Sequence, residues 1–371
     1  MKKLLLASAV AALSVSAAHA APTVYGKAFL TVDASNAKDT YKSGIVQTKE
    51  DINTSGLNSN SSRIGLKGSE ALTADIDVVY KLEYGINIDS GDDTVKKVVG
   101  VKPKLDKSGQ VERDKNGQVQ YEPDFENEKI KKDQFYARDT YLGLAHKQYG
   151  TLLAGRLTTI DDNVDFASVL EANNVGDIGP TFSAPRANNA FAYVSPERNG
   201  AQFLAMYAFD RDTDEGSLVD KDQYGIGATY STGPINAGAS YIAYGKNNHL
   251  RLSGNYAVSP TLTAGALYQI SKFDEVNSKK ENTLIVSGEM KTATPWTAYG
   301  QVALIKNVKG KNDKSMGVGV GGKYAFNKVA TGHLYAGYVN SERKNVTINN
   351  NLYDSSKNTG FGVGAGLEYR F

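Results

Sequence analysis

The sequence predicts an all-β chain that closes into a transmembrane, sixteen-stranded antiparallel β-barrel. Apolar residues alternate with polar or small ones at a period of two, as at Tyr224, Ile226, Ala228 and Tyr230, which places them on one face of an extended strand. Short turns and long polar segments alternate along the chain, which is typical of a membrane barrel. Beyond the N-terminus, no run approaches the roughly 20 apolar residues that a membrane-spanning helix needs.

The composition excludes several classes of protein. The 371 residues are 40% hydrophobic and 22% charged, and none is cysteine. A chain without cysteine has no disulfide scaffold, no thiolate zinc site and no cysteine nucleophile. The 42 Lys and Arg residues are balanced by 40 Asp and Glu residues, whereas a dedicated nucleic-acid-binding protein carries a basic excess. We therefore expect no nucleic acid among its partners.

The N-terminus has the pattern of a secretory signal peptide. A positive start at Lys2-Lys3 is followed by the apolar residues 4–15 and by the small-residue cleavage site Ala18-His19-Ala20. We expect cleavage after the second of these alanines, which divides the chain into a signal peptide over residues 1–20 and a barrel domain over residues 21–371. Loss of the two lysines leaves 40 basic and 40 acidic residues in the exported protein.

The turn signals give the remaining elements in order. Short connections are predicted at 70–74, 148–150, 197–200, 232–234, 259–260 and 293–295. Long polar segments are predicted between them at 34–61, 89–132, 159–187, 211–222, 246–248, 273–281, 307–314 and 343–358. We predict sixteen strands from this alternation, with about 22 residues for each strand and its connection, and a tilted membrane strand requires about 9–11.

The two faces of the predicted strands differ in composition. The apolar face carries large aromatic residues near the strand ends, and a soluble sandwich would not favour those positions. These aromatic residues are Tyr25, Tyr80, Tyr84, Tyr224, Tyr230, Tyr241, Tyr256, Tyr268, Trp296, Tyr338 and Tyr369. Aromatic girdles at the two lipid–water interfaces account for them. The other face is rich in Gly, Ser, Thr, Asn and charged residues, which suits a water-filled lumen.

Several segments resemble one known family. Residues 24–27 and 62–70 look like the first two strands of the Gram-negative general diffusion porins, and residues 137–144 and 149–156 look like the fourth and fifth. The C-terminal residues 368–371, Glu-Tyr-Arg-Phe, resemble the terminal strand that the barrel-insertion machinery reads, with Tyr369 and Phe371 as its signal. Membership implies a trimeric barrel whose third long loop folds into the lumen and narrows it.

The resemblance also implies a constriction between a basic wall and an acidic loop. The residues that match the family's basic wall are Lys27, Arg63, Arg138 and Arg186. The acids of the third long segment are Asp161, Asp162, Asp165, Glu171 and Asp177, and residues 159–185 contain no Lys or Arg. The family's Pro-Glu motif is absent from this loop. Opposite charges on the two sides of a narrow aqueous gap produce a transverse field that favours polar solutes.

The alternation of apolar and polar residues predicts which of these cations face the lumen. In residues 63–67 the apolar Ile64 and Leu66 lie on one face, so Arg63 and Lys67 lie on the other, which we predict to be the inner face. A cation facing lipid at the midplane would cost roughly 2–4 kcal/mol. The strand around Arg138 is less regular, because strict alternation places Asp139 and Tyr141 on the opposite face from Arg138.

The second long segment, 89–132, contains ten acidic and ten basic residues. Residues 106–111 and 114–119 repeat the pattern Asp-Lys-Ser/Asn-Gly-Gln-Val. The Asp-x-Asn-Gly motif can begin a calcium loop, but the later ligands are missing. We predict two tight turns on an extracellular hairpin. In the family this loop contacts the neighbouring subunit, so the resemblance implies a trimer contact here.

These observations predict a passive diffusion channel of the Gram-negative outer membrane for ions and small hydrophilic solutes, with no cofactor and no metal. The expected partners are outer-membrane lipid and lipopolysaccharide, the barrel-insertion machinery, the permeating solutes and two further copies of the chain in a homotrimer. A substrate-specific channel remains an alternative, and lumen-facing aromatics such as Tyr299 and Tyr335 bear on it. An adhesin that acts through residues 89–132 is a further alternative.

An enzyme is not expected. After the signal peptide the histidines are His146, His249 and His333, and the sequence has neither a G-x-S-x-G nor an H-E-x-x-H motif. Residues 317–322 match G-x-G-x-x-G, but a dinucleotide site needs a helix after these glycines. Here the glycines continue a strand at a period of two, which makes the inner face of the wall thinner.

Overall fold

A computed structural model describes residues 22–43, 46–89, 93–106, 108–113, 117, 119–130, 134–170, 183–209, 222–274, 277–348 and 351–371. The predicted signal peptide, residues 1–20, lies outside them. The strands are β1 Thr23–Ser43, β2 Val46–Ser59, β3 Arg63–Ala71, β4 Ile76–Ile86, β5 Asp93–Pro103, β6 Tyr121–Ile130, β7 Phe135–His146, β8 Gly150–Leu157, β9 Ala187–Val194, β10 Ala201–Ala208, β11 Gln223–Thr232, β12 Ile235–Tyr244, β13 Asn247–Ala257, β14 Leu262–Lys272, β15 Glu281–Lys291, β16 Trp296–Lys306, β17 Lys314–Ala325, β18 Ala330–Ile348 and β19 Asn351–Arg370.

The helical elements are short. One α-helical turn, α1, covers Ile160–Asn163, and one 3₁₀ turn covers Val308–Gly310. Over the described ranges, no helix has the length and apolar character to cross a membrane.

The sheet closes on itself. β1 pairs antiparallel with β19 along one edge, with Lys27 opposite Arg370, and with β2 and β3 along the other. β2 pairs with the later part of β1 and β3 with its beginning, so the two share the second position of the barrel. With β5 and β6 forming a separate hairpin, the described strands occupy sixteen positions, all antiparallel, which confirms the predicted barrel.

A break at residues 60–62 separates β2 from β3. The Asn60 N–H donates to the carbonyl of Phe29 at 2.8 Å, and the Phe29 N–H donates to the Ser62 hydroxyl at 3.0 Å. Ser61 between them has a positive φ of 54°. These bonds satisfy the backbone where the ladder is interrupted and lead the chain into β3, whose first residue is Arg63.

The short connections lie where the turn residues predicted them, and the sequence reasoning missed a seventh at 326–329. There the Phe326 N–H donates to the carbonyl of Ala330 at 3.1 Å, and the Asn327 side chain accepts from the N–H groups of Val329 and Ala330. A single Asn is a weak turn signal without Gly or Pro beside it.

Two segments that their polar composition predicted as loops, 34–61 and 343–358, are mostly paired strand. β1 and β2 pair as far as Ser43 and Val46, and β18 and β19 as far as Ile348 and Asn351. β1 and β19 also pair with each other in this region, so β2, β1, β19 and β18 continue as one four-stranded sheet. The prediction was wrong because a hairpin with polar cross-strand pairs needs no apolar face.

The second long segment also contains regular structure. β5 and β6 pair from Asp93 opposite Ile130 to Pro103 opposite Tyr121. Beyond them, Leu105 bridges to Val111 and Arg113 bridges to Val119. The glycines of the repeat, Gly109 and Gly117, have φ angles of 80° and 79°, which tight turns require. The two predicted turns are therefore confirmed.

The alternation of faces is clear in the middle of the barrel wall. Val286 of β15 is 52% exposed on the outer face, whereas its neighbours Ile285 and Ser287 are 1% and 8% exposed on the inner face. Tyr25 departs from its predicted place among the interfacial aromatics, because its hydroxyl donates to Glu83 Oε2 inside the barrel at 2.9 Å. Its odd position in β1 puts it on the inner face with Lys27.

The exposed outer face gives a test of the barrel. Replacing Val286 by Arg puts a cation against lipid and should lower the free energy of unfolding by roughly 2–4 kcal/mol. Thr263, which lines the lumen opposite Glu289 of the next strand, is the matched control, and Thr263→Arg should be tolerated. Urea titration of the protein folded in lipid vesicles measures both. Equal losses from the two substitutions would contradict the assignment of faces.

Candidate functional site

The lumen contains a water-accessible cavity of about 1220 Å³. Lys27, Arg63 and Arg138 line it from the wall, and Asp162 and Asp165 line it from the segment that follows β8. Residues of the short turns also line it, among them Pro234, Pro295 and Lys328. The cavity therefore extends from the inward segment to the end of the barrel that carries the short turns.

Residues 159–170 of the third long segment follow the inner wall. Their apolar side chains lie over lumen-facing glycines of four strands. A β-carbon added to Gly227 of β11 would lie 2.5 Å from Ile160 Cγ2, and one added to Gly238 of β12 would lie 2.9 Å from Val164 Cβ. Contacts this short leave no room for a side chain, so the glycines form seats for the segment.

The seats continue along the wall. A β-carbon at Gly265 of β14 would lie 3.1 Å from Ala167 Cα, and one at Gly319 of β17 would lie 2.7 Å from Leu170 Cδ1. Gly319 belongs to the glycine-rich run 317–322, so the thinner inner face predicted for that run accommodates the inward segment.

Side chains of the wall bind the backbone of this segment. The Phe166 N–H donates to the Ser253 hydroxyl at 2.7 Å, and Asn255 Nδ2 donates to the Phe166 carbonyl at 2.9 Å. The Val169 N–H donates to Gln301 Oε1 at 3.0 Å. The segment has little regular secondary structure, so these bonds replace the backbone partners that a helix or sheet would supply.

The structure separates the predicted acids of the loop. Asp161 is fully buried against the wall, where its Oδ2 lies 3.1 Å from His249 Nε2 and 3.6 Å from Arg251 Nη2. Burial alone would raise the pKa of Asp161, but the hydrogen bond with His249 and the charge of Arg251 outweigh it and lower the pKa. Asp162 and Asp165 line the cavity. Glu171 and Asp177 lie outside the described residues.

The basic wall is organised around buried carboxylates. Glu83 of β4, 4% exposed, lies 2.6 Å from Arg138 Nε and 3.5 Å from Arg63 Nε. Lys81 Nζ lies 3.5 Å from the same carboxylate. Lys27 Nζ instead lies 3.9 Å from Glu368 Oε2 of the last strand. Fixed anions thus hold the cations on the wall, which limits the number of conformations that each can adopt.

A second carboxylate, Asp139, holds the remaining predicted cation. Arg186 Nε lies 3.0 Å from Asp139 Oδ1 and Lys81 Nζ 2.9 Å from Asp139 Oδ2. The Thr158 hydroxyl donates to Asp139 Oδ1 at 2.6 Å. Arg186 is not among the residues that line the cavity. It joins the end of the inward segment to the wall through Asp139.

A β-bulge explains how Arg138 and Asp139 both reach the inner face. In the pairing of β4 with β7, Leu82 lies opposite Thr140 and Tyr84 lies opposite Ala137, so two residues of β7 oppose Glu83 alone. The extra residue shifts the alternation by one position. The irregularity in the sequence around Arg138 is therefore real, and it brings Asp139 to the lumen beside Arg138.

Sequence reasoning missed the carboxylates that organise this wall. Glu83 and Lys81 share the lumen-facing positions of β4, a signal that was present in the alternation. Asp139 was hidden by the bulge. With them, the described wall cluster contains six cations and three anions: Lys27, Arg63, Lys81, Arg138, Arg186 and Arg370 against Glu83, Asp139 and Glu368. Across the described residues, no three His, Asp or Glu side chains form a metal site.

Comparison with known proteins gives a family match over most of the chain. A family model described as Gram-negative porin matches residues 7–346. A major outer membrane protein of Pasteurella multocida is 27% identical over 231 residues, which are 62% of this chain and 57% of that protein. Another, from Pasteurella multocida strain Pm70, is 24% identical over 341 residues, which are 91% of this chain and 83% of that protein. The first match thus covers less than two thirds of its relative.

Solved structures share the fold. An anion-selective porin from Comamonas acidovorans has a TM-score of 0.65 at 18% identity, over 95% of this chain and 99% of that one. OmpF of Salmonella typhi, in a complex with daunomycin, has a TM-score of 0.60 at 15% identity, over 94% and 97% of the two chains. OmpT of Vibrio cholerae in its trimer form has a TM-score of 0.59 at 17% identity, over 95% and 100%.

The close contacts at the glycine seats predict that adding a single methyl group there lowers the free energy of unfolding. Gly238→Ala should destabilise the protein by about 1–3 kcal/mol, since the new β-carbon meets Val164 Cβ and the ring of Phe166. Gly288→Ala is the control, because a β-carbon there has its nearest neighbour at 3.9 Å. Denaturant titrations of the two folded variants compare their free energies of unfolding. A Gly238→Ala variant as stable as the control would argue against tight seating.

Proposed function

Because the chain belongs to the Gram-negative porin family, we propose that it is a passive diffusion channel of the outer membrane for ions and small hydrophilic solutes. The observation that carries this proposal is the charged cavity inside a closed barrel. Its wall supplies Arg63 and Arg138, and its inward segment supplies Asp162 and Asp165. Water and polar solutes are stabilised in such a gap, whereas apolar solutes gain nothing there.

We propose that the pore favours anions weakly. The described residues that line the cavity include seven Lys or Arg and five Asp or Glu residues. These are Lys27, Arg63, Arg138, Lys291, Lys323, Lys328 and Arg370 against Asp162, Asp165, Glu197, Glu289 and Glu368. A fixed positive excess raises the local concentration of anions, and salt screens it.

Assembly and export belong to the same proposal. We propose a homotrimer in outer-membrane lipid and lipopolysaccharide, with residues 89–132 at the subunit contact. OmpT of Vibrio cholerae, which has this fold, is known in a trimer form. Residues 1–20 would direct export and be removed. Tyr369 and Phe371 would be read by the barrel-insertion machinery, and their stacked rings, 6.4 Å apart, terminate the last strand.

The lumen-facing aromatics favour a general pore over a substrate-specific one. The Tyr335 hydroxyl donates to Asp33 Oδ1 at 2.5 Å, and the ring of Tyr299 lies 5.0 Å beneath the ammonium of Lys323. Both rings thus have partners on the wall, whereas a sugar slide needs exposed aromatic faces. The family and the fold are those of a channel, and we propose that the protein catalyses no reaction.

Conductance across a planar lipid bilayer tests the channel. Addition of the folded protein should produce large, ohmic, long-lived current steps in groups of three, because each trimer inserts three pores. If circular dichroism shows a folded barrel but no current is recorded, the result would contradict the proposal and favour an adhesive role. Ohmic current that falls when one solute is added, such as a maltodextrin, would favour the substrate-specific alternative.

Neutralisation of the wall tests the charge filter. Arg63→Gln combined with Arg138→Gln removes two of the seven cations that line the cavity, so the reversal potential in a salt gradient should shift toward cation preference. Lys311→Gln, in the surface loop after β16, is the control for loss of a remote charge and should leave the potential unchanged. Unaltered selectivity and conductance in the double variant would refute the basic-wall constriction.

A further inference from the structure

Arg251 on the inner face of β13 contacts both ends of the inward segment. It is 1% exposed, and it is the largest of the fully buried side chains among the described residues. Its Nη1 donates to the Asp161 carbonyl at 2.9 Å, and its Nη2 donates to the Ser183 hydroxyl at 3.0 Å. Its Nε donates to Gln269 Oε1 of the neighbouring strand at 2.7 Å. One guanidinium thus connects the wall with Asp161, near the start of the third long segment, and with Ser183, near its end.

The carboxylate of Asp161 provides further contacts between the segment and the wall. Besides its contacts with Arg251 and His249, its Oδ2 accepts from the Ala184 N–H at 3.2 Å. Asp161, His249 and Arg251 are each no more than 1% exposed. A buried carboxylate is stable only when cations and donors compensate it, so removal of the guanidinium leaves a charge that the interior cannot hold.

We infer that Arg251 is a positioning residue that sets the aperture of the pore. It does so by connecting Asp161 and Ser183, which together we call the base of the inward segment. The inference rests on the proposed function. Arg251, His249 and Asp161 are absent from the residues that line the cavity, so they do not meet solutes. Arg251 acts through Asp162 and Asp165, whose positions on the cavity depend on how the base of the segment is held.

The direction of the effect follows from the surrounding space. On one side the segment is in contact with the wall, where the seats at Gly227, Gly238 and Gly319 leave no room. On the other side is the open cavity. A segment released at its base therefore moves into the lumen, so the pore becomes narrower and its current less steady.

The first experiment compares Arg251→Met with the unsubstituted protein in the planar bilayer. The Met side chain fills part of the same volume without donors or charge. We expect single-channel conductance to fall at least about twofold, with rapid fluctuations between levels, because pore current depends on the free cross-section. Arg343→Met, an exposed position near the end of β18, is the matched control and should keep the original current. Heat-modifiable electrophoretic mobility and circular dichroism report whether each barrel has folded.

A disulfide tether shows whether a change in current comes from the position of the segment or from another effect of the substitution. The chain has no cysteine, so Val164→Cys with Gly238→Cys introduces the only pair. A β-carbon at Gly238 lies 2.9 Å from Val164 Cβ, and disulfides need about 3.5–4.5 Å, so a small outward shift suffices. Oxidation of this pair in the Arg251→Met background should restore a steady, higher current, and reduction should abolish that rescue.

Two outcomes would overturn the inference. The first is a steady current of the original size in folded Arg251→Met. The second is an altered current that the tether does not restore, because the change would then come from the barrel. If Arg251→Met does not fold, Asp161→Asn weakens the same pair from the loop side and should cause the same fluctuations. A steady original current in that variant also refutes the inference.

The rate of disulfide formation provides a test that is independent of conductance. With Arg251 present, the cysteines at 164 and 238 should oxidise quickly, because the segment holds them together. With Arg251→Met they should oxidise several times more slowly, and equal rates would overturn the inference. If the unsubstituted protein carries no current at all, the proposed channel function fails, and this rate still decides whether Arg251 positions the segment.

Discussion

Closure of the sheet between β1 and β19 gives this molecule two faces in two different solvents, and the other features depend on that division. A closed barrel satisfies its backbone hydrogen bonds within the sheet, as a membrane requires. The outer face must then be apolar at every second residue. The inner face meets water and the protein's own loop, so it can carry glycines, ion pairs and a bulge. Lys27 and Glu368 join the first and last strands on this inner face.

The sequence predicted the features that depend on local alternation. The alternation predicts Arg63 and Lys67 on the inner face because neighbours in β3 decide that orientation, and the structure places both there. Arg138 could be placed only by resemblance, because the bulge opposite Glu83 depends on the pairing of β4 with β7. Alternation does not reveal the hairpins within 34–61 and 343–358, because their polar strands lack the apolar signal on which the prediction relies.

The inward segment illustrates how little composition says about the role of one acid. Asp161 and Asp162 are adjacent and chemically identical, yet one is buried against the wall and the other lines the cavity. The helical turn α1 explains the difference, because successive residues on a helix point about 100° apart. The wall partners His249 and Arg251 are some ninety positions away in the chain, so no local pattern could reveal them.

The four-stranded extension built from β2, β1, β19 and β18 has lateral edges. In the described residues, β2 pairs with β1 alone, and β18 beyond Glu342 pairs only with β19. Open strand edges are templates for association with other chains, and charged side chains are a common protection against it. The described residues of these strands include exposed charges at Asp51 of β2 and at Arg343 and Lys344 of β18. Charged side chains on such edges disfavour edge-to-edge pairing between neighbouring copies, which is an effect unrelated to permeation.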